Sequence, residues 1–194
     1  MIDVYSQNLV GVWFAVAVAD QQIVATSFSE NQQAALTSIL TIVPYDTPFE
    51  VSDDPSDFAK DTLARLEKIY HRKNVDINLP LSYAGLPVYT QRVLKATLQI
   101  PVGYVSSYGL IAKAVGGGAR AVGNIMASNP FAPIVPCHRV VKSDFKLGGY
   151  GGGLRVKAEL LNREKRGFQD PSEIPIEGGN LKVFPVEVAL RNLF

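Results

Sequence analysis

Short apolar runs and stretches of helical periodicity alternate through the first third of the chain. Residues 12–19 and 22–28 are rich in β-branched and aromatic residues and are separated by Asp20-Gln21, so they predict a β-hairpin. Residues 31–42 carry apolar side chains at helical spacing and predict a helix. Asp54-Pro55 predicts the start of a second helix, with the aspartate as N-cap. The apolar stripe of this helix consists of Ala59, Leu63, Leu66 and Tyr70. The pattern favours a small α+β module with one sheet backed by helices.

Helical patterns dominate residues 84–128. A helix is predicted from Pro87 to about Ile100, and a second one from Tyr108 to Val115 with Ser107 as its N-cap. The inward positions of the second helix are Leu110, Ile111, Ala114 and Val115. Three consecutive glycines at 116–118 end it, and a third helix is predicted over residues 119–127. Two short helices joined by a tight glycine turn indicate a helix-turn-helix.

The helix predicted over residues 119–127 has two contrasting faces. Its apolar stripe consists of Val122, Ile125 and Met126. Small residues stand four apart on another face at Ala119, Gly123 and Ala127. Such a row allows either tight helix packing or the close approach of DNA. Arg120 lies in the first turn, where a cation opposes the helix dipole, and this placement favours an outside partner.

The segment after residue 128 surrounds a lone cysteine. Ile134-Val135 predicts a short buried strand that delivers Cys137 to a bend. A polar loop at 142–146 and a glycine-rich loop at 148–153 follow. The last helix of this region is predicted from Leu154 to Arg166, with Lys157, Leu160, Leu161 and Glu164 on one face. A carboxylate on a buried face needs a partner, which is either an ordinary ion pair or His138. Residues 169–194 show no evident chemistry beyond a possible helix from Val186.

Composition and charge divide the chain into regions. With 47% hydrophobic and 19% charged residues it has a globular composition, without an apolar run that could span a bilayer and without a secretory leader. Residues 84–168 hold 12 lysines and arginines against 3 acidic residues, a net charge of +9, whereas residues 1–83 have a net charge of −6. We expect three parts, namely an α/β domain at 1–83, a domain at 84–168 that meets a polyanion, and an extension at 169–194.

The one cysteine carries the candidate chemistry. A single cysteine excludes an intramolecular disulfide and a multi-cysteine metal site, and it suits a reducing cytosol. Cys137 is flanked by His138 and Arg139, and cationic neighbours lower the pKa of a thiol and so favour the nucleophilic thiolate. The alternative is a buried core cysteine, the usual state of a free thiol, but the polar flanks favour a reactive one. His71, the other histidine, ends the helix of residues 54–71, where a cation meets the dipole, so a capping role is favoured.

The basic region contains a long series of short motifs in a fixed order. In chain order they are Ser107-Tyr108, Ala119-Arg120-Ala121-Val122-Gly123, Met126, Asn129-Pro130, Pro136-Cys137-His138-Arg139-Val140-Val141, Gly148, Tyr150, Gly152-Gly153, Lys157 and Glu164. This series resembles the O6-alkylguanine-DNA alkyltransferases, which repair alkylated guanine by moving the alkyl group onto their own cysteine. The resemblance covers roughly residues 84–168.

The resemblance implies a catalytic set. Its members are Cys137, His138, Glu164, Tyr108, Asn129 and Lys157. In the family pattern Cys137 is the alkyl acceptor, and His138 is linked to its sulfur through a water and oriented by Glu164. Tyr108 would hydrogen-bond the guanine ring and help the leaving base to accept a proton. Asn129 would tie the DNA-reading helix to the cysteine segment.

The resemblance also implies DNA-binding and pocket residues. The DNA-binding set is Ser107, Ala119, Arg120 and Gly123, and the pocket set is Met126, Val140, Gly148, Tyr150, Gly151 and Gly152. Arg120 would fill the space left by a nucleotide that is rotated out of the duplex. The small residues Ala119 and Gly123 would let the helix lie in the minor groove.

Fold, substrate and location follow from the resemblance as expectations. They are an α+β chain with an RNase H-like N-terminal domain and a winged-helix-like, helix-turn-helix C-terminal domain. The expected reaction is single-turnover repair of O6-alkylguanine, and also of O4-alkylthymine, in double-stranded DNA. We also expect a monomer that can act cooperatively on DNA, and from the composition and the lone cysteine a cytoplasmic protein without metal, cofactor or membrane association.

Three other functions remain open at this point. A sensor of alkylated bases would flip the base without repairing it, but such proteins lack the cysteine. A cysteine hydrolase would use Cys137 and His138, although adjacent residues rarely point at each other and no helix N-terminus follows to form an oxyanion hole. A helix-turn-helix regulator would need the cysteine only for structure.

Overall fold

The computed structural model describes residues 1–43, 46–72 and 78–191. The chain forms two compact units, Met1–Ala84 with Pro130–Ile134 and Gly85–Asn129 with Val135–Phe194. Both units combine helices with a sheet, and within the described residues each sheet has four strands. The α+β class predicted from the sequence is therefore confirmed. The boundaries 1–83, 84–168 and 169–194 stay a prediction.

The first unit is built on a sheet with the strand order β3-β2-β1-β4. Its strands are β1 (Ile2–Leu9), β2 (Val12–Ala19), β3 (Gln22–Ser29) and β4 (Phe49–Val51). The β2–β3 pair is antiparallel and confirms the predicted hairpin. Two strands were not predicted from the sequence, namely β1, which pairs antiparallel with β2, and the three-residue β4, which is parallel to β1.

Helices cover the two faces of this sheet. On β2, Ala15 and Ala17 belong to a core cluster with Ile39 of α1 (Gln32–Leu40). Phe14 points to the opposite face, since side chains alternate along a strand. Its ring lies 5.6 Å from the ring of Tyr70 in α2 (Asp57–Tyr70), with the two rings nearly perpendicular. The sheet is thus buried on both sides, which explains the unbroken apolar run of β2.

The predicted helix ends of the first unit are partly right, since α1 begins just after Asn31 as expected but ends at Leu40 rather than at residue 42. Asn31 caps α1 by accepting a hydrogen bond from Ala34 N at 2.8 Å, and Thr41 follows as the C-cap. His71 is the C-cap of α2, as predicted. The predicted start of α2 at Asp54-Pro55 is wrong, because Ser56 is the N-cap and its hydroxyl accepts from Ala59 N. The acidic residue of the first turn is Asp57, where it complements the helix dipole.

The second unit carries the cysteine. Its elements are α3 (Val88–Leu98), β5 (Tyr104–Ser107), α4 (Tyr108–Val115), α5 (Ala119–Ala127), a 3₁₀ turn (Cys137–Arg139), β6 (Val140–Val141), α6 (Leu154–Arg163), β7 (Ser172–Ile176), β8 (Gly179–Pro185) and α7 (Val186–Arg191). The sheet order is β6-β5-β8-β7. The β5 and β6 strands are parallel, with Ser106 opposite Val140. This pairing places the start of α4 beside the cysteine turn.

The predicted helix-turn-helix is confirmed in its boundaries. Ser107 caps α4, with its hydroxyl accepting from Leu110 N at 3.2 Å, and the glycines at 116–118 separate α4 from α5. The predicted inward positions of α4 are only partly right, because Ile111 and Ala112 are the buried residues. On α5, Val122 and Met126 are buried and Ile125 is half-buried.

Two expectations about the cysteine segment need correction. Ile134-Val135 is not a strand: the chain turns there, and the strand β6 lies after the cysteine. The last predicted helix ends at Arg163 rather than at residue 166, and Glu164 is its C-cap. The buried face of that helix is as predicted, since Lys157, Leu160, Leu161 and Glu164 are all buried.

The C-terminal segment completes the sheet of the second unit. β8 pairs antiparallel with β5 and β7, and Ser106 donates its hydroxyl to Lys182 O at 2.8 Å. The helix predicted from Val186 is α7, whereas β7 and β8 were not predicted. Among the described helices, none combines the length and the apolarity that a membrane span requires.

Candidate functional site

A cavity of about 500 Å³ in the second unit reaches the cysteine. It is lined by Tyr108, Gly123, Met126, Ala127, Cys137, Lys142, Gly148, Gly149, Tyr150 and Gly151. The structure therefore brings together Cys137, Tyr108 and four of the six predicted pocket residues, since Val140 and Gly152 are not among the lining residues. A cavity of this size is typical of sites for small-molecule ligands.

The thiol of Cys137 is almost fully buried, with 7% of the residue exposed. The turn that carries it is held by Cys137 N donating to Val135 O at 2.8 Å and by Asn129 Nδ2 donating to the same carbonyl at 2.8 Å. Burial raises the pKa of the thiol. A hydrogen bond from the Asn129 side chain, the Lys157 charge and the backbone N–H groups of Cys137 and His138 oppose that rise.

His138 and Glu164 form a fully buried pair. Their Nε2 and Oε1 atoms lie 2.8 Å apart, and neither side chain is exposed. A carboxylate can only accept, so the imidazole Nε2 carries the proton of this hydrogen bond. The hypothesis that Glu164 meets His138 is confirmed, and the ion-pair alternative also applies, because Arg139 Nε lies 2.9 Å from Oε2.

The expectation that Arg139 activates the neighbouring thiol directly is not what the geometry shows. Its guanidinium binds Glu164 and the carbonyl of Ile100. The cation that acts on the thiol is Lys157, twenty residues further along the chain. In a 3₁₀ turn successive side chains point about 120° apart, so chain neighbours of Cys137 face elsewhere.

Lys157 joins the cysteine segment to the glycine-rich loop. Its ammonium donates to Val140 O, to Leu147 O and, at 3.3 Å, to Gly149 O. The side chain is fully buried, and burial lowers the pKa of Lys157 to about 8. The lysine thus fixes the loop that forms one wall of the cavity.

Tyr108 and Gly148 approach each other closely at the cavity wall. Burial, and next the negative charge of the Cys137 thiolate, raise the pKa of the Tyr108 hydroxyl. Gly148 has a φ of +71°, and a Cβ atom there would lie 2.9 Å from Tyr108 Oη. Only glycine fits this position, because a side chain would be strained and would displace the hydroxyl.

The residues assigned to DNA binding divide into two groups. Ala119 and Arg120 are exposed at the start of α5, and Gly123 is half-buried on the same helix beside the cavity. Ser107 differs, because it is 3% exposed and its hydroxyl caps α4. Its observed contact is thus structural. Within the described residues no cluster of three or more His, Cys, Asp or Glu side chains could hold a metal ion.

Comparisons with known proteins agree with this geometry. The family model for the 6-O-methylguanine DNA methyltransferase DNA binding domain matches residues 88–166. The crystal structure of the O6-methylguanine methyltransferase of Mycobacterium tuberculosis is 30% identical, with a TM-score of 0.65, over 88% of this chain and 97% of that chain. The chain belongs to the O6-alkylguanine-DNA alkyltransferase family. The resemblance found in the sequence is confirmed.

Other alkyltransferases match over shorter or similar stretches. The methylated-DNA–protein-cysteine methyltransferase of Pyrobaculum aerophilum is 58% identical over 67 residues, which are 34% of this chain and 45% of that protein. The one from Mycobacterium bovis is 54% identical over 79 residues, 40% of this chain and 48% of that protein. The chain thus spans about half the length of these curated relatives. A structure of M. tuberculosis OGT in complex with DNA is 30% identical, with a TM-score of 0.66, over 84% of this chain and 92% of that chain.

Sequence reasoning missed two contributors to this site. Lys142 lines the cavity, and the Ile100 carbonyl holds Arg139. Gly149 also lines the cavity, as part of the glycine-rich loop that was expected to form a wall of the site. A backbone carbonyl such as that of Ile100 leaves no signal in a sequence, because every residue has one.

Proposed function

We propose that this protein repairs DNA by irreversible transfer of the O6-alkyl group of guanine to Cys137. The observation that carries the proposal is the cysteine at a cavity of about 500 Å³, beside a buried His138–Glu164 pair. Family membership and the relatives named methylated-DNA–protein-cysteine methyltransferases support it. The finer fold expectations, an RNase H-like first unit and a winged-helix-like second unit, belong to the same proposal.

The proposed chemistry is a displacement at the alkyl carbon. His138 takes the thiol proton through a water, on Nδ1, because Nε2 already donates to Glu164. The Cys137 sulfur then forms a bond to the alkyl carbon while the bond from that carbon to O6 breaks. The electron pair stays with guanine, which gains a proton at its ring with the help of Tyr108. A nucleophile, a base and a group that orients the base follow the general logic of covalent catalysis.

One turnover per molecule follows from the bond that forms. The product is a thioether, and no group in the site is a nucleophile placed to break it. The protein is therefore consumed in proportion to the lesions it repairs. The same displacement applies to O4-alkylthymine, where the leaving oxygen is also part of a base.

The substrate is proposed to be a base rotated out of double-stranded DNA. A buried sulfur cannot reach a stacked base, and rotation costs a few kcal/mol. In this proposal Arg120 fills the vacated space and the small residues Ala119 and Gly123 leave room for the groove; the exposure of Ala119 and Arg120 at the first turn of α5 supports these roles. The net charge of +9 over residues 84–168 supplies attraction to phosphates. We propose a monomer that acts in the cytoplasm.

Intact-mass spectrometry after incubation with a duplex containing O6-methylguanine tests the transfer. We expect a gain of one methyl group per molecule, located on Cys137 and absent in Cys137→Ala. Unchanged mass with tight lesion binding would instead favour a sensor. Repeated ester or amide cleavage would favour a hydrolase. Either result would refute alkyl transfer.

A second experiment tests base rotation. Arg120→Ala should slow transfer from duplex DNA much more than transfer from free O6-alkylguanine, which needs no rotation. Arg155→Ala is the matched control, since Arg155 is an exposed arginine of α6 paired with Glu159. Equal losses on the duplex and on the free base would exclude the proposed role of Arg120. Binding to DNA should also weaken as salt rises.

A further inference from the structure

Arg139 is buried beside the proposed relay, and the mechanism above gives it no task. Only 5% of the residue is exposed. Its Nε donates to Glu164 Oε1 and Oε2 at 3.1 and 2.9 Å, and its Nη2 donates to Oε1 at 3.0 Å. Its Nη1 donates to the carbonyl of Ile100, just past α3. The guanidinium is therefore held at both ends.

The two adjacent donors Nε and Nη2 of Arg139 form a fork that sets the direction of the Glu164 carboxylate. The guanidinium is planar and rigid, so two adjacent donors on one carboxylate fix the carboxylate plane. The oxygen that receives Nη2 is Oε1, the same atom that lies 2.8 Å from His138 Nε2. Arg139 therefore aims the carboxylate at the imidazole, and the imidazole is in turn held with Nδ1 as its remaining basic nitrogen.

The fork also settles the charge of the cluster. A fully buried carboxylate needs a positive partner, because an unpaired charge in a protein interior is very costly. Either Arg139 or a protonated His138 could supply that charge. Arginine remains charged at all relevant pH values. With Arg139 in place the buried pair is already neutralised while the imidazole is uncharged and able to accept a proton.

Among the described residues, other ionisable groups in or beside the cluster lie on three elements. Cys137 lies on the same 3₁₀ turn as His138 and Arg139, Lys157 lies on α6, and Tyr108 begins α4. Lys157 and the thiol interact with each other, as do Tyr108 and the thiol. The segment after α3 contributes the neutral Ile100 carbonyl. Arg139 is the cation bound to Glu164 in this arrangement.

We propose that Arg139 is a positioning residue that aims Glu164 at His138 and supplies the charge that keeps the Cys137–His138–Glu164 cluster from holding an extra proton at neutral pH. This inference rests on the proposed alkyl transfer, in which His138 must be able to take the thiol proton. Without the guanidinium, the buried carboxylate would draw a proton onto the imidazole. The cluster would then release that proton only at higher pH.

The test measures pH profiles of Cys137 reactivity in a set of variants. Single-turnover methyl transfer and labelling by iodoacetamide, which needs no DNA, are followed across the pH range. In Arg139→Met we expect the midpoints of both profiles to move upward by about one to three pH units, the range produced by one neighbouring charge. Arg139→Lys keeps the charge and loses the fork, so its midpoint should stay while methyl transfer slows. Arg155→Met is the surface control and should change neither.

A double variant protects the test against misfolding. Arg139→Met leaves Glu164 buried without its cation, which is strongly destabilising. The double variant Arg139→Met with Glu164→Met removes both charges. The midpoint of its iodoacetamide-labelling profile should return close to the wild-type value. The proposal would be overturned if the midpoints stayed unchanged in Arg139→Met or if Arg139→Lys shifted them by the same amount. It would also be overturned if the labelling midpoint of the double variant did not return toward the wild-type value. Absence of methyl transfer in the wild-type protein would refute the proposed function alone, since the labelling profiles do not depend on it.

Discussion

Gly148→Ala is a small change that tests how closely Tyr108 must be placed. Gly148 has a φ of +71°, and a Cβ atom at this position would lie 2.9 Å from Tyr108 Oη and 3.0 Å from Cε2. Ordinary contacts of a Cβ atom begin at 3.4 Å. The tyrosine ring therefore has to move by about 0.5 Å, because the protein interior has little free space to absorb the methyl group.

The expected magnitudes follow from these two features. A left-handed backbone costs a residue with a Cβ about 1–2 kcal/mol, which is the expected loss of unfolding free energy. A catalytic group displaced by 1 Å can cost about 100-fold in rate, so a shift of half that size should cost about 10-fold. The backbone strain and the displacement of Tyr108 are separate effects, and they can be separated by controls in the same loop.

Two neighbouring glycines provide the controls. Gly153 has a φ of +87° but open space around its added Cβ, so Gly153→Ala carries backbone strain alone. Gly149 has neither a positive φ nor a neighbour within 4 Å. Urea unfolding should show similar losses for Gly148→Ala and Gly153→Ala and almost none for Gly149→Ala. Single-turnover methyl transfer should fall about 10-fold only in Gly148→Ala.

The comparison between the two strained variants decides the outcome. If Gly148→Ala and Gly153→Ala react at the same rate, the contact with the tyrosine hydroxyl does not matter for the reaction. The placement of Tyr108 as the group that assists the leaving base would then be refuted, whatever the stability data show.

Four further predictions concern stability and thiol reactivity. Lys157→Met removes the hydrogen bonds to three buried carbonyls, so we expect the free energy of unfolding in urea at neutral pH to fall by about 2–5 kcal/mol. A smaller fall would show that these hydrogen bonds do not hold the loop. From pH 8 to 10 the stability of the wild-type protein relative to Lys157→Met should rise, because burial lowers the lysine pKa to about 8 while the unfolded chain keeps the proton up to about 10.5; parallel profiles would contradict this. Asn129→Ala removes a hydrogen bond that lowers the pKa of Cys137, so iodoacetamide should label the thiol more slowly than in the exposed control Asn124→Ala, and equal rates would contradict that contribution. Leu181→Ala in β8 should lower the free energy of unfolding in urea by about 2–5 kcal/mol, because Leu181 is fully buried. The control Asn180→Ala, at an exposed position of the same strand, should lower it by less than about 0.5 kcal/mol. Similar values for the two variants would show that β8 adds nothing to the core.

Local chemistry made the helix boundaries near the site predictable. Ser107 caps α4 and three glycines follow it, so the helix-turn-helix could be bounded to the residue. The predicted strand at Ile134-Val135 failed for an equally local reason. Prolines at 133 and 136 remove two backbone donors, and the chain turns instead of pairing. The β-branched residues that do form a strand are Val140–Val141, which follow the cysteine and pair with β5.

The contact between His138 and Glu164 could be predicted from the sequence, but the direction of the neighbouring Arg139 side chain could not. The motif order identified Cys137, His138 and Glu164, and the structure brings His138 and Glu164 into contact. The sequence could not show that Arg139 turns away from the thiol, because side-chain direction within a single turn depends on tertiary contacts. β7 escaped prediction because it is largely exposed and contains Pro175, so it lacks the alternation that marks a half-buried strand. β8 does alternate, with Leu181 and Val183 buried on either side of the exposed Lys182, and this signal in the sequence was missed.

The segment Pro130–Ile134 belongs to the first unit although its chain neighbours belong to the second. Thr26 of β3 bonds to it twice, through its N–H to Pro130 O and its hydroxyl to Ala132 O, and Phe131 is fully buried against Tyr83. No single cut in the chain therefore separates the units. Swapping the first 84 residues between relatives would leave Phe131 against residues from another protein, only a few positions before Cys137. A fragment that begins after residue 84 would keep Phe131 but lose both Thr26 and Tyr83, the residues that contact it.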